Sequence, residues 1–260
     1  MPVTVSEPSS AGRKVFFIRP PSVIQQALVE TLVQAEFDVG LVLDHTKTEA
    51  LLRRHPDCIA FLNIDEGWAF DQWDEFITRA RGDARLSTVR LGIMTYNESA
   101  ELAKHYLMDL ELPAGFVKLT LGLAVSTAII LKVLEANEAR GKRQFLRVPC
   151  PDERTTITIV RPKGSVSGHV RDLSIAGLSC TLEEDPGIKA RTPLPELRVR
   201  LQGTPLTFSG VLMGSRRDVR GQMVYVIMFQ PSSQMAHKER VRTFLQSTLQ
   251  RQLEAEVRSL

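Results

Sequence analysis

The pattern of apolar residues changes near residue 139, and this change constrains the fold more than any other feature of the chain. From Arg13 to about Arg140, short apolar runs alternate with amphipathic segments of helical period. Five such strand–helix pairs predict an open, doubly wound parallel sheet. After residue 139 the chain is a series of short strand-like runs separated by turn signals, which predicts a small antiparallel β-barrel.

These patterns predict three regions: a disordered tail over 1–12, an α/β domain over 13–138 and a barrel domain with a C-terminal helix over 139–260. In the α/β domain the predicted strands are Lys14–Ile18, Val39–Leu43, Cys58–Ile64, Val89–Thr95 and Phe116–Leu119. In the barrel they are Thr155–Val160, Val166–Val170, Leu178–Leu182, Leu194–Leu201, Leu206–Met213 and Met223–Phe229. Ser22 is the expected N-cap of the first helix.

The last predicted helix, Gln234–Leu260, carries one apolar stripe of residues spaced by four: Val241, Leu245, Leu249, Leu253 and Val257. We expect the first part of this helix to pack on the barrel. The remainder either packs in the same way, docks on the first domain or seals a homodimer.

The two halves carry opposite charge. Residues 1–138 have a net charge of −6 and residues 139–260 a net charge of +9, within a total of +3. The barrel half is therefore the one expected to meet an anionic partner. Charge alone leaves open whether that partner is a nucleotide, a nucleic acid or an acidic protein.

Two short motifs stand at the start of the basic half. Arg143 and Arg147 form an R-x-x-x-R pattern, and Asp172, Ser174 and Gly177 form D-x-S-x-x-G. The arginine pattern alone carries little information, because it also occurs at 81/85 and 216/220. The acidic motif occurs once, two predicted strands after the arginines. Solvated arginines and ordinary turn residues are the alternative reading of the same positions.

This order of motifs resembles the PilZ domain, a small β-barrel family that binds the bacterial second messenger cyclic di-GMP. The resemblance implies that Arg143, Arg147 and the adjacent Lys142 wrap the ligand, since an arginine fork can pair with phosphate or with the O6/N7 edge of guanine. It implies that Asp172 accepts the guanine N–H groups and that Ser174 donates to a phosphate or base. Gly177 would let backbone approach the ligand, or adopt an angle that a side chain forbids.

The α/β half resembles the receiver domain of two-component signalling. Thr95 and Lys118 match that family at the ends of the fourth and fifth strands. Arg19 stands where the family carries acidic metal-binding residues after the first strand. Asn63 and Asp65 are both candidates for the phosphoacceptor position, and neither is cleanly in register with it. Because a magnesium-dependent phosphoryl transfer needs those carboxylates, we expect a degenerate receiver-like domain that is not phosphorylated.

The sequence therefore predicts a cytoplasmic signalling effector that binds cyclic di-GMP, passes the signal to an unidentified protein partner by interdomain rearrangement and is not an enzyme. Neither a metal nor a cofactor is expected, because Cys58, Cys150, Cys180 and the histidines have no ligand-like spacing. No run of apolar residues is long enough to predict membrane insertion. Two alternatives stay open: a basic barrel that binds nucleic acid, which scarce aromatic residues disfavour, and a PilZ-like adaptor that binds no nucleotide.

Overall fold

A computed structural model of the chain describes residues 12–141, 144–162 and 164–260. These residues form two compact units: unit 1 runs up to Gln144 and includes Leu249–Leu260, while unit 2 is Phe145–Thr248. The sequence places the boundary between residues 138 and 139 and assigns the whole terminal helix to the barrel, so the contacts divide the chain differently at both points. The predicted tail lies outside the described residues, except for Gly12.

Unit 1 contains the predicted parallel sheet, with five strands in the order β2-β1-β3-β4-β5. Its strands are β1 Lys14–Ile18, β2 Asp38–Val42, β3 Ile59–Asn63, β4 Arg90–Thr95 and β5 Phe116–Lys118. Its helices are α1 Ser22–Gln34, α2 Thr48–Arg54, α3 Phe70–Gly82, α4 Ala100–Lys104 and α5 Leu123–Ala136. Because a helix follows every strand, the doubly wound prediction is confirmed.

Strand β1 is apolar along nearly its whole length because both faces of the sheet are covered. Val15 and Phe17 belong to one buried cluster, and Phe16 and Ile18 belong to the other. The start of α1 differs from the expectation. Pro21 is the N-cap and Ser22 is already helical, so the prediction of Ser22 as the cap is wrong. Proline fixes the backbone angle of the capping position, and the helix begins at Ser22, one residue earlier than predicted.

The last twelve residues complete unit 1. The side-chain amide of Gln250 donates to the carbonyl of Leu41 at 3.0 Å and accepts from the Leu41 N–H at 2.9 Å, so it pairs with the backbone of edge strand β2. Leu253 lies where a Cβ on Gly40 would fall, and it is buried with Phe16 in the core. These contacts are the reason that the C-terminal segment belongs to this unit.

Unit 2 is a closed antiparallel barrel. Its strands are β6 Val148–Pro149, β7 Thr156–Arg161, β8 Gly164–Ser174, β9 Gly177–Leu182, β10 Thr192–Leu201, β11 Thr204–Arg217 and β12 Met223–Phe229. The order is β6-β8-β7-β10-β11-β12-β9, and a β8–β9 pairing closes a six-stranded ring. Strand β6 lies outside the ring and pairs with the end of β8.

The barrel interior is filled by alternate residues, as the sequence predicts. On β10, Leu197 and Val199 are buried while Arg198 is exposed. The rings of Phe208 and Phe229 stack with centroids 4.1 Å apart. Helix α6, Pro231–Arg258, begins over these rings, where His237 contacts Phe208 edge-on. Among the described helices, none combines the length and apolarity that crossing a bilayer requires.

Candidate functional site

The D-x-S-x-x-G motif is the tight hairpin between β8 and β9. Ser174 is the last residue of β8, Gly177 is the first of β9, and the two are register partners across a two-residue turn. Ser174 is buried, and its hydroxyl donates to the Gly177 carbonyl at 3.0 Å. Its proton therefore already stabilises the turn, so the role of Ser174 as a donor to the ligand stays a prediction.

Gly177 is required by the packing of the barrel itself. A Cβ at this position would lie 2.2 Å from the carbonyl oxygen of Ile227 and 3.0 Å from the Cα of Met228. The φ angle of Gly177 is not in the left-handed region, so the special backbone angle expected from the sequence is not the reason for glycine. Close approach of strand β12 is the reason, and a ligand contact remains a prediction.

Asp172 presents its carboxylate outward beside this hairpin. Its neighbour Leu173 is fully buried in the core, whereas the Asp172 side chain is 30% exposed. Oδ2 accepts a short hydrogen bond of 2.5 Å from the hydroxyl of Ser179, its register partner on β9. Oδ1 faces the guanidinium of Arg147 at 3.7 Å, which is beyond hydrogen-bond distance.

Strand β6 brings the second half of the arginine motif to this carboxylate. Val148 pairs with Leu173 and Pro149 with Asp172, and the Cys150 N–H donates to the Arg171 carbonyl at 2.8 Å. Arg147, just before the strand, is held at the edge of the barrel with its side chain 45% exposed. The structure thus brings Arg147 and Asp172 together. Lys142 and Arg143 lie outside the described residues.

Two buried thiols lie in this unit. Burial raises the pKa of both Cys150 and Cys180 to about 12, and the negative charge of Asp172 adds to the shift. Both remain protonated and unreactive near neutral pH. Arg171, the residue before Asp172, forms an ion pair with Asp218. The guanidinium of Arg171 donates a hydrogen bond to the Asp218 carboxylate and so lowers the pKa of that carboxyl.

The polar residues of unit 1 collect where the parallel strands end. Asp65 accepts from the Thr95 hydroxyl at 2.5 Å and from the Tyr96 N–H at 2.7 Å. Asn63, the buried last residue of β3, donates from its side-chain amide to the Arg19 carbonyl at 2.7 Å. Lys118 donates to the Glu98 carbonyl at 3.3 Å. These groups satisfy one another within the unit.

Arg19 stands at the end of β1 with a left-handed backbone, φ 51°. Its guanidinium pairs with Glu66 at 3.4 Å, and its charge adds to burial in lowering the pKa of His45. A fixed positive charge here disfavours a divalent cation. In the described part of the chain, no three His, Cys, Asp or Glu side chains are grouped to hold a metal.

Ser179 is a site residue that the sequence analysis missed. A two-residue turn that pairs Ser174 with Gly177 must also pair Leu173 with Leu178 and Asp172 with Ser179. Once the two-residue turn is known, counting two positions outward from the Ser174–Gly177 pair identifies Ser179 as the partner of Asp172. Strand β6 was also missed, because two residues are too short for a periodic signal.

Residues 141–247 match the PilZ domain family, so this part of the chain is a PilZ domain. A five-stranded parallel sheet with helices precedes it. No curated protein sequence matches the chain.

Among solved structures, the PilZ domain of YcgR from Escherichia coli with c-di-GMP is 13% identical, with a TM-score of 0.36, and the match covers 46% of this chain and 99% of that one. The MrkH–c-di-GMP complex of K. pneumonia is 16% identical, with a TM-score of 0.37 and coverage of 45% and 56%. The inhibitor of motility MotI/DgrA of Bacillus subtilis is 18% identical, with a TM-score of 0.34 and coverage of 43% and 52%. The match spans about half of these two longer chains, and the family match rather than these structures identifies the domain.

Proposed function

We propose that this protein is a receptor for cyclic di-GMP that binds the nucleotide at the outward face of its PilZ barrel. The observation that carries the proposal is the pair Arg147 and Asp172, held 3.7 Å apart at the edge of a domain of this family. The pair offers one cationic fork and one carboxylate oxygen that are close but not hydrogen-bonded to each other. A ligand with phosphates and guanine N–H groups can therefore satisfy both at once.

The division of roles follows from the chemistry of the two side chains. A carboxylate is an acceptor only, so Asp172 is suited to the adjacent N1–H and N2–H₂ donors of guanine. A guanidinium is a donor only and pairs well with phosphate oxygens or with guanine O6 and N7. We assign these contacts to Arg147, with Arg143 and Lys142 adding to the same positive segment. Ser174 and Gly177 keep the hairpin in the form that presents Asp172.

We further propose that binding is passed on as a change in the arrangement of the two units, read by a protein partner. The segment with the arginine motif lies where the chain passes from unit 1 to unit 2, at Gln144 and Phe145. An anionic ligand would neutralise the positive charges of this segment and order it. Such an order–disorder transition is a known kind of conformational switch. Hydrogen exchange should show new protection over 141–147, the residues before the strand that already pairs with β8, and solution scattering should change on ligand addition. Protection without a change in scattering would contradict the transmission step alone.

Calorimetry tests the binding itself. We expect the protein to bind cyclic di-GMP and to bind GTP and cyclic GMP much more weakly, since each of these has one guanine. Asp172→Ala should lower the affinity and reduce the preference for guanine, because the acceptor for the base is lost. Glu153→Ala, which removes an exposed carboxylate of the same unit, is the matched control and should bind like wild type. Absence of heat with cyclic di-GMP, or salt-dependent binding of random nucleic acid in its place, would overturn the proposal.

A further inference from the structure

Strand β2 lies at the edge of the parallel sheet, and the C-terminal end of helix α6 covers that edge. The Val42 carbonyl accepts from the N–H of Arg19, at the end of β1. Because backbone groups alternate in direction along a strand, those of the preceding residue, Leu41, face away from the sheet. An edge strand presents such N–H and C=O groups unpaired, and they are a template for another chain. Here the side chain of Gln250 is bonded to both groups of Leu41.

The carboxamide of Gln250 takes the place of a neighbouring strand. A primary amide has the same kinds of donor and acceptor as a peptide group. It donates to the Leu41 carbonyl at 3.0 Å and accepts from the Leu41 N–H at 2.9 Å. A residue of an antiparallel strand exchanges two hydrogen bonds with its partner in the same way. The contact therefore closes one pairing position of β2 without adding a strand.

Two further contacts hold the last twelve residues, Leu249–Leu260, which we call the clasp. Leu253 fills the space over Gly40, because a Cβ built on that glycine would lie 2.2 Å from Cδ2 of the leucine. The carboxylate of Glu256 hydrogen-bonds Nε2 of His55 at 2.9 Å, at the end of helix α2. The clasp is thus attached to unit 1 through an amide, a leucine and a carboxylate.

The clasp buries little apolar surface. Of its twelve residues only Leu249 and Leu253 are buried, and Val257 and Leu260 are partly buried against the core. Twelve residues are also too few for a stable isolated helix in water, so the clasp depends on these contacts. Segments with few buried apolar contacts are the ones that open locally at low cost in free energy.

The chain passes from one unit to the other twice, between Gln144 and Phe145 and again between Thr248 and Leu249, inside α6. Any rearrangement of the units must therefore be accommodated at both passages. Interrupting α6 would break the backbone hydrogen bonds of a helix. Detaching the clasp gives up only the side-chain contacts that hold it, so detachment is the easier route.

We propose that the clasp is a releasable cover of the β2 edge, and that binding of cyclic di-GMP to the barrel releases it. Release exposes the backbone groups of Leu41 and the space over Gly40. This inference rests on the proposed function and names the part of unit 1 that changes when the nucleotide binds.

Hydrogen exchange on the whole protein tests release directly. Adding cyclic di-GMP should raise the exchange rate over 38–42 and 249–260 by about tenfold, while the central strand β3 should be unchanged. Calorimetry on the same sample establishes whether the nucleotide is bound. Bound nucleotide with unchanged exchange at β2 overturns the clasp, whereas absence of binding overturns the proposed function instead.

A reversible disulfide gives the matched test. The Cγ of Leu253 lies 3.5 Å from the Cβ built on Gly40, so Gly40→Cys together with Leu253→Cys places two thiols within bonding reach. If the nucleotide promotes release, a locked clasp must oppose binding, and the oxidised pair should bind about fivefold more weakly than the reduced pair. The reduced form of the same chain is the control. Because the proposed site is in unit 2, a clasp with a purely structural role would leave the two affinities equal, and that result overturns the proposal.

Gln250→Glu covers the case in which the cysteine pair does not fold. A carboxylate cannot donate to the Leu41 carbonyl, so exchange over 38–42 should already be faster without nucleotide. The affinity for cyclic di-GMP should rise several-fold, because binding no longer has to detach a fully bonded clasp. Arg258→Gln, at an exposed position of the same segment, is the control and should behave like wild type. Wild-type exchange and affinity in Gln250→Glu would contradict the clasp.

Discussion

The carboxylates of Asp65 and Asp172 lie in different units and have different hydrogen-bond environments. Asp65, beyond the end of β3, has both oxygens bound by its own unit, one by the Thr95 hydroxyl and the other by the Tyr96 N–H. Asp172 has one oxygen held by Ser179, and its other oxygen faces Arg147 at 3.7 Å. A carboxylate whose acceptors are engaged within the protein contributes to structure, whereas one that is half engaged and fixed in direction is ready for a ligand.

The arginines differ in the same way. Arg19 stands where a receiver domain would carry acidic residues, and it is paired with Glu66 in unit 1. The side chain of Arg147 is nearly half exposed, and its guanidinium lies 3.7 Å from the Asp172 carboxylate, which is beyond hydrogen-bond distance. We conclude that charge at the strand ends of unit 1 has a structural role, and that charge at the barrel edge is available for binding.

The largest effect expected from this comparison is on binding. Arg147→Ala should weaken cyclic di-GMP binding by ten- to a hundredfold, because a lost charge-assisted hydrogen bond is worth about 1.5–3 kcal/mol. Thermal unfolding should hardly change, since the guanidinium is not hydrogen-bonded to Asp172. Arg198→Ala removes an exposed arginine of the same barrel and is the control. Equal affinity of Arg147→Ala and wild type would place the site elsewhere.

A smaller effect, on stability alone, is expected at the strand ends of unit 1. Thr95→Val keeps the shape but removes the hydroxyl that donates to Asp65 and accepts from the Asn97 N–H. The loss should be about 1 kcal/mol in the free energy of unfolding. Denaturant unfolding should detect this loss, and calorimetry should show unchanged cyclic di-GMP affinity. A loss of affinity in this variant would mean that the two regions are not separate in function.

Alkaline pH should distinguish the units through their thiols. Burial raises the pKa of Cys180 to about 12 from an ordinary 9.0, so the folded barrel keeps a proton that the unfolded chain releases. The contribution of this thiol to the free energy of unfolding is fully present below about pH 9. It is lost as the pH rises towards 12, because the unfolded state then binds fewer protons than the folded state. Unit 2 has two such thiols, Cys150 and Cys180, while unit 1 has Cys58.

The measurement is denaturant unfolding between pH 8 and pH 11, and the barrel should lose stability more steeply than unit 1. Cys180→Ala should flatten this slope whatever its effect on stability at pH 8. A slope that is the same with and without Cys180 would contradict the assignment.

The last prediction is that unit 1 is not phosphorylated. Incubation with acetyl phosphate and magnesium should add no phosphate to the protein, because Asp65 is engaged by Thr95 and Tyr96 and because Arg19 disfavours the metal. Intact-mass analysis gives the result directly. A stoichiometric adduct on Asp65 would show that unit 1 is a working receiver and would end the contrast between the two regions.

Much of this architecture could be predicted from local pattern. Strands β1 and β12 were predicted at their observed bounds, and the order of the two motifs indicated the barrel family before any contact was known. Apolar periodicity is a property of neighbouring residues, so it is readable in the chain itself. The long strands β8 and β11 were predicted too short, because their ends carry polar residues and glycine that weaken the periodic signal.

The sequence by itself determined which residue types were available: a carboxylate, a serine and a glycine at fixed spacing, and arginines in a basic half. Only the tertiary structure decided what each one does. Ser179 reaches Asp172 through strand register, Gly177 is required by the backbone of β12, and Gln250 pairs with Leu41 from the far end of the chain. The physical reason is that hydrogen bonding and close packing depend on separation in space, and the folded core brings together groups that are as far apart as 209 positions in sequence.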